Sequence, residues 1–349
     1  MRNAIVRALR HKRLERGQHP GLLLQRYLCT PATGEQGDPE EKRALLEAAI
    51  SAAGQAELRH LYKTAYERWC KSLPDLTAAT TLRTLGRLVI GLGSENVLET
   101  GITLHHTYGL PYLPGSALKG LAAHYCDQVW GEAEQKFKKG NEYHSLLFGT
   151  TEDSGCIIFH DGWLVVEVNT NPLQMDVMTP HHPSWVDGSA PPTDFDSPNP
   201  VPFLSVAGAF HVAVSWHGPD DDYPKAVAWT ELALDLLVVA IGDWGIGGKT
   251  SSGYGRMKEV DAANRKRPFS ATALGLPAAG SIVEATLLEA PKKDKPWRAK
   301  ITLRNGRDLA GPIEGTPPTP PQPGQNVQLI VTEVGENRIR FQWLSPPAR

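Results

Sequence analysis

The chain is short of several things, and each shortage narrows what it does. Its 349 residues hold four cysteines, Cys29, Cys70, Cys126 and Cys156, with no Cys-x-x-Cys pair. That usage suits reduced thiols in a cytoplasmic protein, and neither a disulfide framework nor a zinc site. An excess of charge is missing as well: 36 Lys and Arg stand against 38 Asp and Glu. Nucleic-acid binding by bulk charge is excluded, so any such binding falls to local patches. No apolar run is long enough to span a bilayer, and no signal-peptide core stands near the N-terminus. A soluble cytoplasmic protein without membrane contact is expected. The histidines His181-His182 and the scattered His124, His144 and His160 lack metal-ligand spacing. No metal and no cofactor are expected.

Glycine is plentiful, and it gathers from Gly242 to Gly255. The stretch Trp244-Gly-Ile-Gly-Gly-Lys-Thr-Ser-Ser-Gly-Tyr-Gly-Arg256 places Thr250, Ser251, Ser252, Lys249, Arg256 and Tyr254 among those glycines. Hydroxyls, open N–H groups and cations grip phosphates, and a ring stacks on a base. Gly247-Gly248-Lys249-Thr250 imitates the end of a P-loop but fails on spacing, since Asp243 stands where that motif needs glycine. It also fails on context, because an apolar helix enters the loop and a short strand leaves it. A polyanion lying along the loop fits the composition better than a plain linker does.

Residues 1–80 read as a basic arm (Arg2, Arg7, Arg10, Lys12, Arg13 and Arg16) followed by a helical hairpin. Asp38-Pro39-Glu40-Glu41 is a helix start, and Leu45, Leu46, Ala49, Ile50 and Ala53 give the first stripe. Leu58, Leu61, Ala65 and Trp69 give the second. From 81 to 263 the pattern predicts strand, helix, strand, strand, helix, strand. The first strand falls at Leu85 to Ile90 and the first helix begins at Ser116 as N-cap. Two strands then surround a tight turn at Asp161-Gly162. An irregular stretch runs from Asn169 to Pro202, and a long strand with a break at Gly208 covers Phe203 to Trp216. The second helix covers Lys225 to Ile241, and a last strand covers Arg256 to Val260. This is an α+β, ferredoxin-like (RRM-like) order. It puts Lys119 in the first turn of its helix, where a cation opposes the helix dipole unless an anion also sits there. Residues 280–345 read as a small β-barrel of OB or SH3 type with Lys292, Lys293, Lys295 and Arg298 as a basic cluster.

Leu113-Pro-Gly-Ser-Ala-Leu-Lys-Gly120, Met178-Thr179-Pro180-His181, Gly86 to Gly91, Pro202-Phe203-Leu204 and the glycine loop together resemble the RAMP superfamily of CRISPR proteins. More narrowly they resemble its capping subunits in type III-B Cmr effector complexes, over roughly Tyr27 to Val260. The resemblance implies a non-catalytic RAMP subunit near the 3′ end of the guide. Its partners would be crRNA, target RNA, and other Cmr subunits of the RAMP backbone and small helical kinds. It implies that Gly115, Ser116 and Lys119, with Gly247, Gly248, Lys249, Thr250, Ser251, Ser252, Tyr254 and Arg256, face the RNA. Two other readings stand beside it. One is a RAMP-fold endoribonuclease using His105 or His106, of which an extended segment directs at most one into a site. The other is a protein scaffold without RNA contact.

Overall fold

A computed structural model describes residues 18–26, 39–94, 96, 98, 100–167, 170–179, 182, 185, 188–196, 198, 200–219, 223–268, 275–288, 296–303, 307–317, 320–335 and 338–344. The basic arm, Asp38, Pro180-His181 and Lys292, Lys293 and Lys295 lie outside them. The chain divides into two compact units, Met1–His217 with Trp229–Arg267, and Gly218–Ala228 with Pro268–Arg349. The expected boundary near residue 80 falls inside the first unit. Among the described residues no helix is long and apolar enough to cross a membrane.

The first unit opens with helices α1 (Pro20–Arg26), α2 (Pro39–Ala53) and α3 (Ala56–Ser72). Pro39 occupies the first helical position with Glu40 and Glu41 in the first turn, where acids suit the dipole. Leu45, Leu46, Ala49 and Ala53 of α2 are buried as the periodicity requires. On α3 the buried stripe is Leu58, Tyr62 and Ala65, whereas Leu61 is 51% exposed. The stripe is turned by one residue because Tyr62 inserts its ring against Trp163, centroids 5.3 Å apart.

Six strands form the sheet: β1 (Thr77–Thr84), β2 (Tyr112–Leu113), β3 (Ile157–Phe159), β4 (Gly162–Val165), β7 (Ala209–Trp216) and β8 (Met257–Glu259). Their order is β2-β4-β7-β1-β8, with β3 also on β7, and every pairing is antiparallel. Between them run α4 (Gly115–Tyr125), α5 (Glu142–Phe148) and α6 (Tyr223–Asp243). A separate hairpin, β5 (Leu173–Met178) with β6 (Val201–Val206), forms a two-stranded sheet.

The first strand is not where the apolar residues placed it. It precedes Leu85, which is 65% exposed, and consists mostly of Ala and Thr. Both faces of the sheet are covered, which removes the alternation. Phe210, Val212 and Val214 of β7 share one core with Leu118 of α4 and Leu234 and Leu237 of α6. His211, between them, meets the rings of Tyr66 and Trp69 on α3. Ala78, Ala79 and Thr80 beside that strand are buried by small size on either side. Phe203 to Trp216 is likewise two strands in two sheets, not one strand with a break. The segment from Asn169 to Pro202 contains β5, and Pro202 is accepted because the edge of β6 away from β5 is bonded, among the described residues, only at Val206, to Leu88.

Nor is there a turn between β3 and β4. Both pair with β7, but the register slips by one residue between Phe159↔Val214 and Trp163↔His211. His160 still donates its N–H to Ala213, so the extra residue is Asp161, a bulge that redirects its side chain. Asp161 Oδ1 accepts the N–H of Gly115 at 2.7 Å. Helix α4 therefore begins at Gly115 with Pro114 as its cap, and its acceptor comes from another strand rather than from Ser116. Lys119 is its fifth residue and lies beyond the first turn.

The second unit is a closed barrel of β9 (Ile282–Leu287), β10 (Arg298–Thr302), β11 (Asp308–Glu314), β12 (Asn326–Gly335) and β13 (Arg338–Trp343). Strand β11 escapes the sequence pattern because Gly311-Pro312 interrupts it. Gly311 is required there, since a Cβ would stand 1.7 Å from the Ile339 carbonyl oxygen.

Two outcomes test this account. Asp161→Ala should lower the stability of the first unit by about 1 kcal/mol in urea unfolding, the usual effect of losing a helix-start acceptor, and Asp161→Asn should recover most of it. Burial holds His160 and His211 below the ordinary imidazole value, with Lys266 adding to the effect. These rings are neutral when folded and take up protons on unfolding, so stability is present at high pH. It should fall as pH drops through about 6.5, and His211→Gln should flatten a Tm profile between pH 7.5 and 5.5.

Candidate nucleic-acid interface

The loop leaving α6 is fastened along its whole length. Gly245 (φ 79°), Gly247 (φ 90°), Gly253 (φ 87°) and Gly255 (φ 79°) all occupy the left-handed region. At Gly247 a Cβ would lie 2.2 Å from the Val89 carbonyl oxygen, and at Gly255 2.1 Å from that of Ile246. The first closeness lets the loop run beside residues 85–92, and the second lets the loop close on itself. Gly248 donates its N–H to Val89 at 2.7 Å, Gly255 to Arg87 at 2.8 Å, and Leu85 to Arg256 at 2.9 Å. On its other side that segment exchanges two bonds between Leu88 and Val206. The loop is a platform held to the sheet region, not a linker.

Its crown is a 3-10 turn, Thr250–Ser252, entered through Lys249. Lys249 has φ 58° and is the one non-glycine among the described residues with a positive φ. Such a conformation costs an L-residue about 1–2 kcal/mol, so the fold holds a lysine where glycine would be easier. Ser251, Ser252 and Arg256 are exposed, while Lys249, Thr250 and Gly248 are half-buried. Not every group offered by the sequence is available. The N–H groups of Gly248, Ser252, Gly253, Tyr254 and Gly255 are all donated to carbonyls of the chain. Those of Thr250 and Ser251 open the turn, and its own ladder leaves them without a partner inside it.

Tyr254 is tied inward. Its hydroxyl donates to Asp176 on β5 at 2.7 Å and its ring leans on Phe203, which is fully buried. The tyrosine anchors the loop to the hairpin and is no free stacking platform. Lys249 Nζ lies 6.0 Å from the Phe203 ring centre. Arg87 completes the attachment by donating to Ser205 at 2.9 Å. The sequence identified none of Asp161, Asp176 or Ser205, because acids and serines at such separations carry no local signal.

The second group of predicted residues is placed apart from the first. Gly115 is buried, with room for no Cβ, which would sit 2.3 Å from the Phe159 carbonyl oxygen. It shapes the helix start and offers no surface. Ser116 is exposed and Lys119 half-exposed. The part of α4 that meets the loop is its last turn: Tyr125 donates to Asp243 at 2.6 Å, and Trp244 packs on Tyr125 and His124. Lys119 lies six residues earlier, about 9 Å along the axis. No hydrogen bond or ion pair among the described residues joins it to the loop. His105 is wedged between Tyr108 and Trp163, centroids 4.7 and 5.0 Å away. Its Nδ1 accepts the N–H of Thr107, and burial lowers its pKa.

A sheet of this order, with a glycine-built loop after the last helix, defines a class. The RAMP superfamily model matches residues 81–258, and the chain belongs to that superfamily. Within it the chain is similar to CRISPR system Cmr subunit Cmr6 of Pyrococcus furiosus, 32% identical over 254 residues, covering 57% of this chain and 73% of that protein. Cmr6 of Saccharolobus solfataricus is 23% identical over 227 residues, covering 62% and 72%. Among solved structures, the type III-B Cmr-beta complex bound to cognate target RNA contains a chain 22% identical, with a TM-score of 0.46 and coverage of 63% and 71%. Crystalline Cmr6 from P. furiosus is 30% identical, with a TM-score of 0.34 and coverage of 52% and 97%.

The glycines separate by what surrounds them. Gly253→Ala meets open space and should cost only the left-handed strain, about 1–2 kcal/mol. Gly247→Ala adds a backbone collision and should lose a further 1–3 kcal/mol or so, with faster hydrogen exchange at the Gly248 and Gly255 amides.

Proposed function

We propose that this chain is a non-catalytic, crRNA-binding subunit of a type III-B CRISPR Cmr effector complex. In this reading it caps the RAMP backbone near the 3′ end of the guide and meets target RNA and other Cmr subunits in the cytoplasm. The observation that carries the RNA contact is the crown of the loop. A lysine in a disfavoured backbone conformation leads into a turn with two open N–H groups, two exposed serines and Arg256 beyond. A phosphate is the ligand that such donors suit, and contacts of this kind set register while base pairing reads sequence. The names of the Cmr6 relatives support the assembly. The strand order β8-β1-β7-β4, with α4 and α6 as the two crossovers, supports a ferredoxin-like domain beneath it.

The exposed hydroxyls and Lys119 extend the contact along α4, with Ser116 as its outer edge. Binding rather than cleavage is favoured by the setting of His105, which is occupied with packing and with the Thr107 amide. A general base needs a free nitrogen within reach of the proton that it removes.

Lys249→Gly separates the two roles a residue can have here. It relieves the backbone and should leave stability within about 1 kcal/mol of the parent chain. RNA affinity should nevertheless fall, and the slope of log affinity against log salt should drop by about 0.7 for each phosphate no longer held. Combined with Lys119→Ala, an unchanged slope and affinity in a filter-binding titration would return the chain to the scaffold reading.

A further inference from the structure

The barrel carries a second surface with its own ligand chemistry. Its strands follow the closed order β9-β10-β11-β13-β12, returning to β9. All pairings are antiparallel except β11 with β13, which is parallel. In chain order this is 1-2-3-5-4-1 with strands three and five parallel. That is the connectivity of an OB-fold and not of an SH3 barrel. OB-folds present the outer face of strands two and three to single-stranded oligomers.

Here those strands are β10 and β11, and their outer face is built in a particular way. Arg298, Lys300 and Thr302 point outward, opposite Pro312, Ala310 and Asp308 in register. Inward-facing Ala299, Ile301, Leu309 and Ile313 fill the barrel. The face thus has a small, flat apolar floor at Ala310 and Pro312 bordered by cations. Beyond its end Trp297, on the same side of the chain as inward-facing Ala299 and Ile301, packs against the barrel core yet is only half-buried at the rim, its carbonyl fixed by the Ile313 N–H at 2.8 Å. A shallow depression of about 510 Å³ opens there, lined by Pro296, Trp297, Pro312, Arg340 and Trp343. The volume is ample for a nucleobase against the indole.

Charge points the same way. From Lys292 to Asp308 the sequence sets seven cations (Lys292, Lys293, Lys295, Arg298, Lys300, Arg304 and Arg307) against Asp294 and Asp308. Arg298 has no ion pair among the described residues, whereas Lys300 holds Asp308 at 2.5 Å and Arg340 holds Glu314 at 3.3 Å. A proline-lined aromatic hollow also suits a proline-rich peptide, but such a ligand has no use for the unpaired Arg298 beside it or for the run of cations in the neighbouring sequence, of which Lys292, Lys293, Lys295 and Arg304 lie outside the described residues.

We propose that the C-terminal barrel binds single-stranded nucleic acid across β10 and β11, with a base stacked on Trp297 and a phosphate held by Arg298. The site is independent of the glycine loop, and the test keeps the two apart. In the full-length chain bearing Lys119→Ala and Lys249→Gly, a fluorescent 12-nucleotide oligouridylate should retain measurable binding. Trp297→Ala should weaken that residual binding by roughly 5- to 100-fold, the range of one lost base stack, and Arg298→Glu should weaken it and lower its salt slope by about 0.7 for the phosphate no longer held. Trp297→Phe keeps an aromatic face and should keep most of the affinity. Arg298 is exposed, so its substitution should leave the melting curve in place and guards against a folding artefact in the tryptophan variant. Residual binding indifferent to both substitutions overturns the assignment, as does its absence when the parent chain binds. The latter result leaves the loop reading intact. Displacement of the oligomer by the peptide of residues 316–323, with no effect of Arg298→Glu, would reassign the hollow to proline-rich ligands and also overturn it.

Discussion

Two backbone hydrogen bonds, from Gly248 to Val89 and from Gly255 to Arg87, are what the candidate RNA surface rests on. Gly247 comes closer to Val89 than any Cβ permits, and Gly255 lets the returning chain close on Ile246 of the same loop, so glycine at 247 and 255 is a geometric condition. Once those bonds exist, the chain between them is short. It closes through one 3-10 turn, and Lys249 is forced into the left-handed region at its entrance. The fixed path also explains why several N–H groups are already spent. A loop that donates its amides inward cannot also cradle an anion with them. What remains for a ligand is the crown, a smaller and more rigid set than a glycine-rich sequence suggests.

The same logic appears at the other glycine motif. Gly115 lets the start of α4 lie on the main chain of β3, and the bulge at Asp161 turns a carboxylate to receive its N–H. In both places glycine acts by allowing contact between backbones, not by making the chain flexible. Tyr254 and Tyr125 then work as struts. One joins the loop to the β5–β6 hairpin and the other joins α4 to the end of α6, each through a carboxylate. A mobile linker has no use for such struts. Preorganisation of this sort lowers the ordering cost of binding a flexible strand.

How much of this is legible in the sequence depends on the range of the interaction. Helices α2 and α6 and the glycine loop announce themselves through local periodicity and composition. Strand β1 does not, because burial on both faces selects Ala and Thr and erases the period of two. The bulge at Asp161 is invisible for a related reason: a one-residue slip is defined only by the partner strand. Strand β11 hides behind Gly311-Pro312, which reads as a turn until the crossing of Ile339 explains the glycine. At the site itself, cations and hydroxyls can be named from the sequence. Which of them remain free cannot, since Asp176, Phe203 and Ser205 enter from a distant hairpin.

A nearly neutral chain that handles a polyanion must keep some cations uncommitted, and their distribution here is uneven. Arg265 is held by Glu259 and Asp235, Arg83 by Glu167, Lys136 by Glu142, and Lys300 by Asp308. Among the described residues Lys119, Lys249, Arg256 and Arg298 carry no such pair. The first three belong to α4 and the loop, and the fourth to the barrel face. An ion pair at a protein surface contributes little to stability, so pairing these cations does more for selectivity than for the fold. Each neutralised cation is withdrawn from non-specific attraction, whose strength grows with every phosphate engaged. Unpaired cations also stand elsewhere among the described residues, Arg59, Lys71 and Lys258 among them, but at the loop and the barrel face a fixed backbone or an aromatic ring lies beside the charge and can position a nucleotide. Affinity on such a surface comes from few contacts made at fixed points, and it should tolerate salt better than a broadly basic face of the same size.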